Sequence, residues 1–256
     1  PFGIMTFEPV PVMFFNKKNK NHRINSLEQK KKQLKKFKLD FLIIIKFNKK
    51  FSSLTAEQFI SKIINKKTKC KYLYVSKNFK FGFKRQGNIQ TLKKFEKTFN
   101  YKNIITSPYK KNERTISSTF VREKIRAGKI ELVNKLLNRY WCIEGRVVKG
   151  NKVGRKIGFP TCNMKLDNYV IPKLGVYAVK VNGNGFYKNG VANIGYRPTF
   201  NGQKLLLETN IFGISKNLYN KVIKINFKKF IRSEKKFKSF EHLKKQIKLD
   251  IKQAKK

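Results

Sequence analysis

Three glycines set the strongest local constraint on this chain: Gly150, Gly154 and Gly158 fall at intervals of four through a basic stretch that contains Lys152, Arg155 and Lys156. Glycine lets backbone N–H groups curl round an anion, and neighbouring cations stabilise phosphate charge. Pro160 fixes its own φ and pushes Phe159 into an extended conformation, so the chain is expected to leave the loop as a strand. Residues two apart on a strand share a face, which places the Thr161 hydroxyl and the Asn163 amide side by side. Two neutral oxygens beside a phosphate-cradling loop suit Mg²⁺, which takes its remaining ligands from water and a nucleotide. A glycine-rich hairpin with a polar edge fits the same spacing, because short glycine motifs recur for many reasons.

The rest of the C-terminal half reads as short strands. Ile143 to Val148 opens the series, and Val176 to Val181 follows, with Asn182-Gly183 as a hairpin turn signal. Phe186-Tyr187, then Lys188-Asn189-Gly190 and Val191 to Ile194, continue the meander, and Leu205 to Phe212 and Val222 to Phe227 complete it. Repeated short strands with Gly/Asn turns predict a small barrel. The tail changes period: Phe240, Leu243, Ile247, Ile251 and Ala254 are helically spaced behind Ser239 at the N-cap position, which predicts an amphipathic helix against the barrel.

The N-terminal half alternates strands with helices, which predicts an α/β domain with a parallel sheet covered on both faces. Strands are expected at Gly3 to Phe7, Phe41 to Ile45, Tyr72 to Val75 and Asn103 to Thr106. Ser26 with Gln29, and Thr55 with Gln58, form capping boxes. The first helix would turn Leu27, Leu34 and Phe37 to one face, and the second would bury Phe59, Ile60, Ile63 and Ile64. Ile89, Leu92, Phe95 and Phe99 mark a further helix. Gly128 breaks a helix after Ala127, and the helical pattern runs out near Asn138, where we place the domain boundary: 1–138 and 139–256.

Several residues are set up for chemistry. Ser117, Ser118 and Thr119 offer hydroxyls at a helix start, with Arg122 one turn in, where exposed N–H groups and the helix dipole favour phosphate; an ordinary Ser N-cap is the simpler use of the same residues. Glu208 is a carboxylate behind the apolar run Leu205-Leu206-Leu207, in a chain with only 14 acidic residues against 61 Lys and Arg. Burial would raise its pKa and make it a base, whereas strand alternation could equally turn it to solvent.

The motifs carry a resemblance. Gly154-Arg155-x-x-Gly158-Phe159-Pro160-Thr161-x-Asn163 is similar to the signature of riboflavin kinases, and further elements follow in order: Gly175-Val176-Tyr177-Ala178, Gly190 to Phe200, Leu207 to Phe212, Leu218-Tyr219 and Ile231 to Phe237. The N-terminal half resembles the FMN adenylyltransferase domain that precedes the kinase in bacterial bifunctional riboflavin kinase/FAD synthetases. The resemblance implies a Rossmann-like nucleotidyltransferase domain followed by a small all-β kinase barrel with a C-terminal helix.

It also implies roles. Thr161 and Asn163 would hold the magnesium of ATP, with Gly150, Gly154, Arg155, Lys156 and Gly158 around the nucleotide. Glu208 would accept the proton of the ribityl hydroxyl, and Arg232, Glu234 and Phe237 would contact the flavin, although core packing is the plain alternative for Phe237. Ser117, Ser118, Thr119 and Arg122 match the Ile-Ser-Ser-Thr-x-x-Arg motif that holds a triphosphate. The substrates implied are ATP, riboflavin and FMN.

The chain departs from the pattern in places. Asn210 stands for a common His, Val10 for another, and Ser76, Asn78 and Lys80 alter the Gly-x-Asp-Phe-Arg-Phe-Gly loop. No His-x-Gly-His pair is present: the two histidines are His22 and His242. With a start at Pro1 inside a strand, the chain is read as an N-terminally incomplete fragment. The expectation is therefore kinase activity here, with FMN adenylyltransferase activity only in a complete chain.

The formal charge of +47 allows nonspecific adhesion to nucleic acid. A nonenzymatic RNA-binding protein on a decayed flavin-kinase fold is the alternative it leaves open. Lysines spread along the chain beside abundant Asn, Ile and Phe argue instead for compositional drift. Cys70, Cys142 and Cys162 show no metal-ligand spacing and read as the reduced thiols of a cytoplasmic protein. The longest apolar run, Phe41 to Ile45, is too short to span a bilayer, and no membrane association is expected.

Overall fold

The computed structural model describes residues 1–16, 21–111, 114–150, 153–183, 185–199, 202–214 and 216–256. Its contacts divide the chain into two compact units, one of Pro1–Lys18 with Phe37–Ser117 and one of Asn19–Lys36 with Ser118–Lys256. Packing thus follows a different division from the motif boundary at residue 138, because 19–36 and the helices of 118–137 belong to the barrel unit.

In the first unit, β1 (Gly3–Glu8) pairs in parallel with β2 (Phe41–Lys46), and β3 (Tyr72–Ser76) in parallel with β4 (Lys102–Thr106). The pairing is parallel as the alternation predicts. Among the described residues, however, hydrogen bonding stops at two strands per ladder, so these are two short ladders rather than one continuous sheet. Nor are both faces covered, since Phe41, Tyr72, Tyr74 and Ile105 are exposed. A third short ladder joins β5 (Lys110–Lys111) and β6 (Arg114–Thr115).

The Thr55/Gln58 capping box is present, with reciprocal bonds of 3.1 and 3.2 Å. The helix then widens into a π-type run, Phe59–Lys67, that buries Phe59, Ile60, Ile63 and Ile64 with Leu92 and Tyr101 in one core. The helix expected through Ile89 to Phe99 breaks at Phe95 into Ile89–Lys94 and Glu96–Phe99.

The second unit is built on a six-stranded antiparallel sheet of β7 (Cys142–Arg146), β8 (Cys162–Lys165), β9 (Gly175–Gly183), β10 (Phe186–Thr199), β11 (Gly202–Ile211) and β12 (Val222–Ser233). Their order is β7-β12-β9-β10-β11-β8. A bridge between Val148 and Asn163, with the Val148 N–H donating to the Asn163 carbonyl at 2.8 Å, brings the two edges together and nearly closes a barrel. Full closure would remove the unpaired edges that an open sheet presents. Tyr177, Met164, Ile194, Leu207 and Phe227 fill the interior, and the Trp141 and Phe227 rings pack at 4.8 Å.

One expected turn moves. Asn182 pairs with Tyr187, so the β9–β10 reversal lies beyond Gly183 rather than at Asn182-Gly183. Lys188-Asn189-Gly190 is part of β10, paired throughout with β9 and, from Gly190 on, with β11. A Cβ at Gly190 would come within 2.5 Å of the Asn210 carbonyl, so glycine here serves close strand approach instead of reversal.

Helices Ser118–Arg126 and Ile130–Leu137, separated by Gly128 at φ +71°, pack Val121, Ile125, Ile130 and Val133 into the barrel core. Residues 21–34 are pinned to the same unit. The Ser26/Gln29 capping box forms as expected, but the buried face of that helix is Gln29, not the line Leu27, Leu34 and Phe37; Phe37 is 72% exposed. Gln29 Nε2 donates to the Cys142 carbonyl at 3.2 Å, and its Oε1 accepts from the Tyr169 hydroxyl at 3.1 Å. The Trp141 indole N–H donates to the Ile24 carbonyl at 2.9 Å.

The C-terminal helix, Phe240–Lys255, starts at Ser239, whose hydroxyl accepts from the His242 N–H at 3.3 Å. Ile251 and Ala254 pack on Val176, Ala178 and Val191 of the barrel.

Candidate active site

One cavity of about 530 Å³ opens on the barrel unit and gathers most of the residues singled out from the sequence. Strand alternation explains β11: Lys204, Leu206, Glu208 and Asn210 line the cavity, while Leu207, Thr209 and Ile211 are buried on the opposite face. Glu208 therefore faces the cavity and not open solvent.

Thr161 and Asn163 line the same space. The glycines beside them have a packing reason. A Cβ at Gly150 would overlap Asn163 Nδ2, and one at Gly154 would overlap the Phe159 carbonyl and come within 3.3 Å of Thr161 Oγ1. Gly154 belongs to a short helical turn, Val153–Lys156, where the sequence suggests an open loop; Gly158 ends it at φ +87°. Asn210, in the place of the expected His, donates from Nδ2 to the Pro160 carbonyl at 2.7 Å and so ties β11 to the start of the Thr161 segment.

Asn163 Oδ1 is buried without a hydrogen-bond partner. A buried acceptor with nothing donating to it is costly unless something electropositive occupies that side. Among the described residues no group of three His, Cys, Asp or Glu could hold a metal alone. Thr161 and Asn163 offer neutral oxygens, which fits an ion that arrives with a nucleotide instead of one caged by protein.

Arg232, Glu234 and Phe237 also line the cavity. Two register shifts in β12, between Phe227 and Lys229 and between Phe230 and Arg232, re-aim the end of that strand. The Arg232 guanidinium lies 5.8 Å from the Phe237 ring centroid and donates to both carboxylate oxygens of buried Asp250 at 2.8 and 2.7 Å. Leu243 and Ile247 of the C-terminal helix add an apolar wall, so Phe237 lines this space rather than the core.

Not every expected site residue arrives. Arg155 is exposed, and neither it nor Gly158 lines the cavity. The Lys156 side chain and the whole of Lys152 lie outside the described residues. Ser118, Thr119 and Arg122 occupy the first turns of helix Ser118–Arg126, away from this cavity, with Ser117 just before them. There Arg122 Nη2 donates to Thr119 Oγ1 at 3.2 Å, and burial together with Arg126 lowers the Arg122 pKa.

The environment of Glu208 also differs from the desolvated one inferred from Leu205–Leu207. Its carboxylate is paired with Arg197: Oε2 accepts from Nη2 at 2.6 Å and from Nε at 3.1 Å. Burial works against the Arg197 charge, but the Glu208 hydrogen bond and the charges of Glu208 and Glu234 outweigh it and raise its pKa. Arg197 lies within the Gly190 to Phe200 motif, but nothing local marks it, because its partner lies on another strand. Asp250, whose partner Arg232 is distant in sequence, and Lys149, which lines the cavity, carry no local mark either.

Comparison with known proteins fits this arrangement. A family model described as riboflavin kinase matches residues 137–256, and one described as FAD synthetase matches residues 1–120. The two together define a transferase with nucleotidyltransferase and kinase parts. The chain belongs to the bifunctional riboflavin kinase/FMN adenylyltransferase family. Relatives of that name include those of Buchnera aphidicola from Schizaphis graminum, 42% identical over 99% of this chain and 82% of the relative, and of Haemophilus influenzae, 40% identical over 100% and 83%. The Escherichia coli K12 protein is 37% identical over 98% of this chain and 80% of its own.

A solved Streptococcus pneumoniae structure described as a macrolide-efflux protein is similar over 100% of this chain and 83% of that one, with a TM-score of 0.84 and 29% identity. Among the described residues here, no helix is long and apolar enough to cross a membrane. The expectation that adenylyl transfer belongs only to a longer chain gains no support, since the FAD synthetase match already spans residues 1–120.

Proposed function

We propose that this chain phosphorylates riboflavin with ATP to give FMN and ADP, in the cavity of the barrel unit, as the kinase half of a bifunctional flavin-nucleotide enzyme. The functional halves are 1–138 and 139–256. The observation that carries the kinase reading is the convergence of Thr161, Asn163 and Glu208 on one cavity with Arg232, Glu234 and Phe237.

The cavity lining includes both polar and apolar side chains, which suits a triphosphate meeting a flavin. Backbone N–H groups of Gly150 and Gly154, with Lys149, receive the phosphates. Thr161 Oγ1 and Asn163 Oδ1 would hold Mg²⁺, which when bound neutralises charge on the phosphate oxygens. Phe237, Leu243 and Ile247 give the isoalloxazine an apolar surface, and Arg232 and Glu234 offer it polar contacts.

Glu208 accepts the proton of the terminal ribityl hydroxyl. The hydroxyl oxygen bonds to the γ-phosphorus, the bond from that phosphorus to the bridging oxygen breaks, and ADP leaves with the electron pair. Positioning supplies most of the acceleration in such transfers.

The test follows FMN formation from riboflavin and Mg-ATP at moderate salt, which suppresses nonspecific charge effects. The parent should make FMN and the Thr161→Ala/Asn163→Ala double variant should not. A folded parent that makes none sinks the reading, and strongly salt-dependent RNA binding in its place would favour the nonenzymatic alternative.

Adenylyl transfer is a second reading for the N-terminal half, favoured by the FAD synthetase match. FAD production from FMN and ATP by the same preparation tests it.

A further inference from the structure

Arg197 joins two parts of the cavity that the sequence motifs treat separately. Its Nε and Nη2 both donate to Oε2 of Glu208, at 3.1 and 2.6 Å. Its Nη1 donates to the Tyr196 carbonyl at 3.1 Å and to Glu234 Oε1 at 3.4 Å. With the Asn193 amide turned to satisfy its surroundings, Asn193 donates to the Gly175 carbonyl at 3.2 Å and accepts from Arg197 Nη2 at 2.5 Å. The guanidinium is therefore fixed from several directions before any substrate arrives.

Register makes this possible. Asn193, Gly195 and Arg197 alternate along one face of β10, and Glu208 sits opposite Asn193 on β11, so Arg197 reaches diagonally to it from opposite Lys204. Gly195, between them, leaves the room Glu234 occupies, since a Cβ there would overlap the Glu234 carboxylate. The small residue and the two polar ones thus form a platform for a pair of carboxylates.

We propose that Arg197 is the positioning residue of the proton acceptor: by gripping Oε2 of Glu208 it directs Oε1 towards the hydroxyl that is to be phosphorylated. Among the described residues no hydrogen bond falls on Oε1. A lone glutamate on a strand can rotate about three side-chain bonds, and an unfixed base loses part of the advantage of proximity. A fork of two donors on one oxygen removes that freedom; a lysine, a single point charge on a flexible stem, does not reproduce it. The contact to Glu234 extends the same constraint to the side of the cavity assigned to the flavin. This inference rests on the kinase reading above.

Steady-state kinetics of the parent, Arg197→Gln, Glu208→Gln and the double variant test it. Arg197→Gln should lower kcat about 10- to 100-fold, as misplacement of a reacting group does, with KM for riboflavin and ATP changed by less than about threefold. The double variant should turn over no more slowly than Glu208→Gln alone, because a positioning residue has nothing to position once the base is gone. Should Arg197→Gln not fold, Arg197→Lys replaces it, with a kcat loss in the same direction that again vanishes in the Glu208→Gln background. An unchanged kcat, a rise in KM without loss of kcat, or losses that multiply in the double variant would each overturn the proposal while leaving the kinase reading intact. A parent that makes no FMN overturns that reading and this proposal with it.

Discussion

Arg232 and Asp250 meet fork to fork: Nε donates to Oδ1 at 2.8 Å and Nη2 to Oδ2 at 2.7 Å, with only 3% of Asp250 exposed. Gln246 Nε2 adds a third bond to Oδ1 at 2.9 Å. This pair fastens the C-terminal helix to the end of β12 and so holds the apolar wall of the cavity in place. Asp250→Ala would leave a largely buried guanidinium without its partner, a change that costs on the order of 3–5 kcal/mol. A thermal melt should show the loss, and KM for riboflavin should rise in whatever fraction remains folded. A melting temperature equal to the parent's would show that the helix is held by its apolar face alone.

Gly150 is expected to tolerate no side chain. The overlap of a Cβ with Asn163 Nδ2 would push the amide aside. Asn163 is on the short strand β8, and its carbonyl also takes the Val148 bond that nearly closes the barrel. Gly150→Ala should therefore raise the Mg²⁺ concentration needed for half-maximal FMN formation, with little change in riboflavin KM. Titration of Mg²⁺ at saturating riboflavin measures it, and an unaltered requirement would separate Gly150 from Asn163.

Gln29 is a buried amide with both ends in use. Gln29→Ala strands the Cys142 carbonyl and takes one bond from the Tyr169 hydroxyl, which keeps the Glu144 N–H at 3.2 Å; an unsatisfied buried group costs about 1–3 kcal/mol. Denaturant unfolding should register that loss in the barrel unit although residue 29 lies far from it along the chain. Wild-type stability would mean that water replaces the amide without penalty.

Cys162 is a thiol pushed up to about 12 by burial, and Cys142 is raised by the same cause. An ordinary cysteine is substantially thiolate at pH 9, the reactive form, whereas Cys162 in the folded protein would reach that point only near pH 12. Alkylation of the native protein at pH 8 should thus spare both residues, and partly exposed Cys70 should label first. Unfolding in denaturant should make all three react. Peptide mass mapping that found Cys162 modified in the native state would contradict the buried environment.

Legibility in the sequence followed the range of the interaction concerned. The Ser26 and Thr55 caps, the break at Gly128 and the start of the last helix at Ser239 each depend on residues within a few positions, and each stands where the sequence predicts it. The Asn182-Gly183 signal moved because both residues pair across the β9–β10 ladder, with Tyr187 and Phe186. Gln29 is read correctly as a capping partner, yet its burial depends on Tyr169 and Cys142, which local pattern cannot place beside it.

The sequence by itself determined the glycine spacing around Thr161 and Asn163, the alternation that lets Glu208 share a face with Asn210, and the amphipathic tail. These are consequences of periodicity and backbone freedom within one segment. Only the tertiary structure decided that Arg197 grips Glu208, that Asp250 grips Arg232, and that Gly150 lies against Asn163. Each of those contacts joins residues from different elements and depends on strand register or docking, and a single step in register would turn every one of the strand side chains to the opposite face.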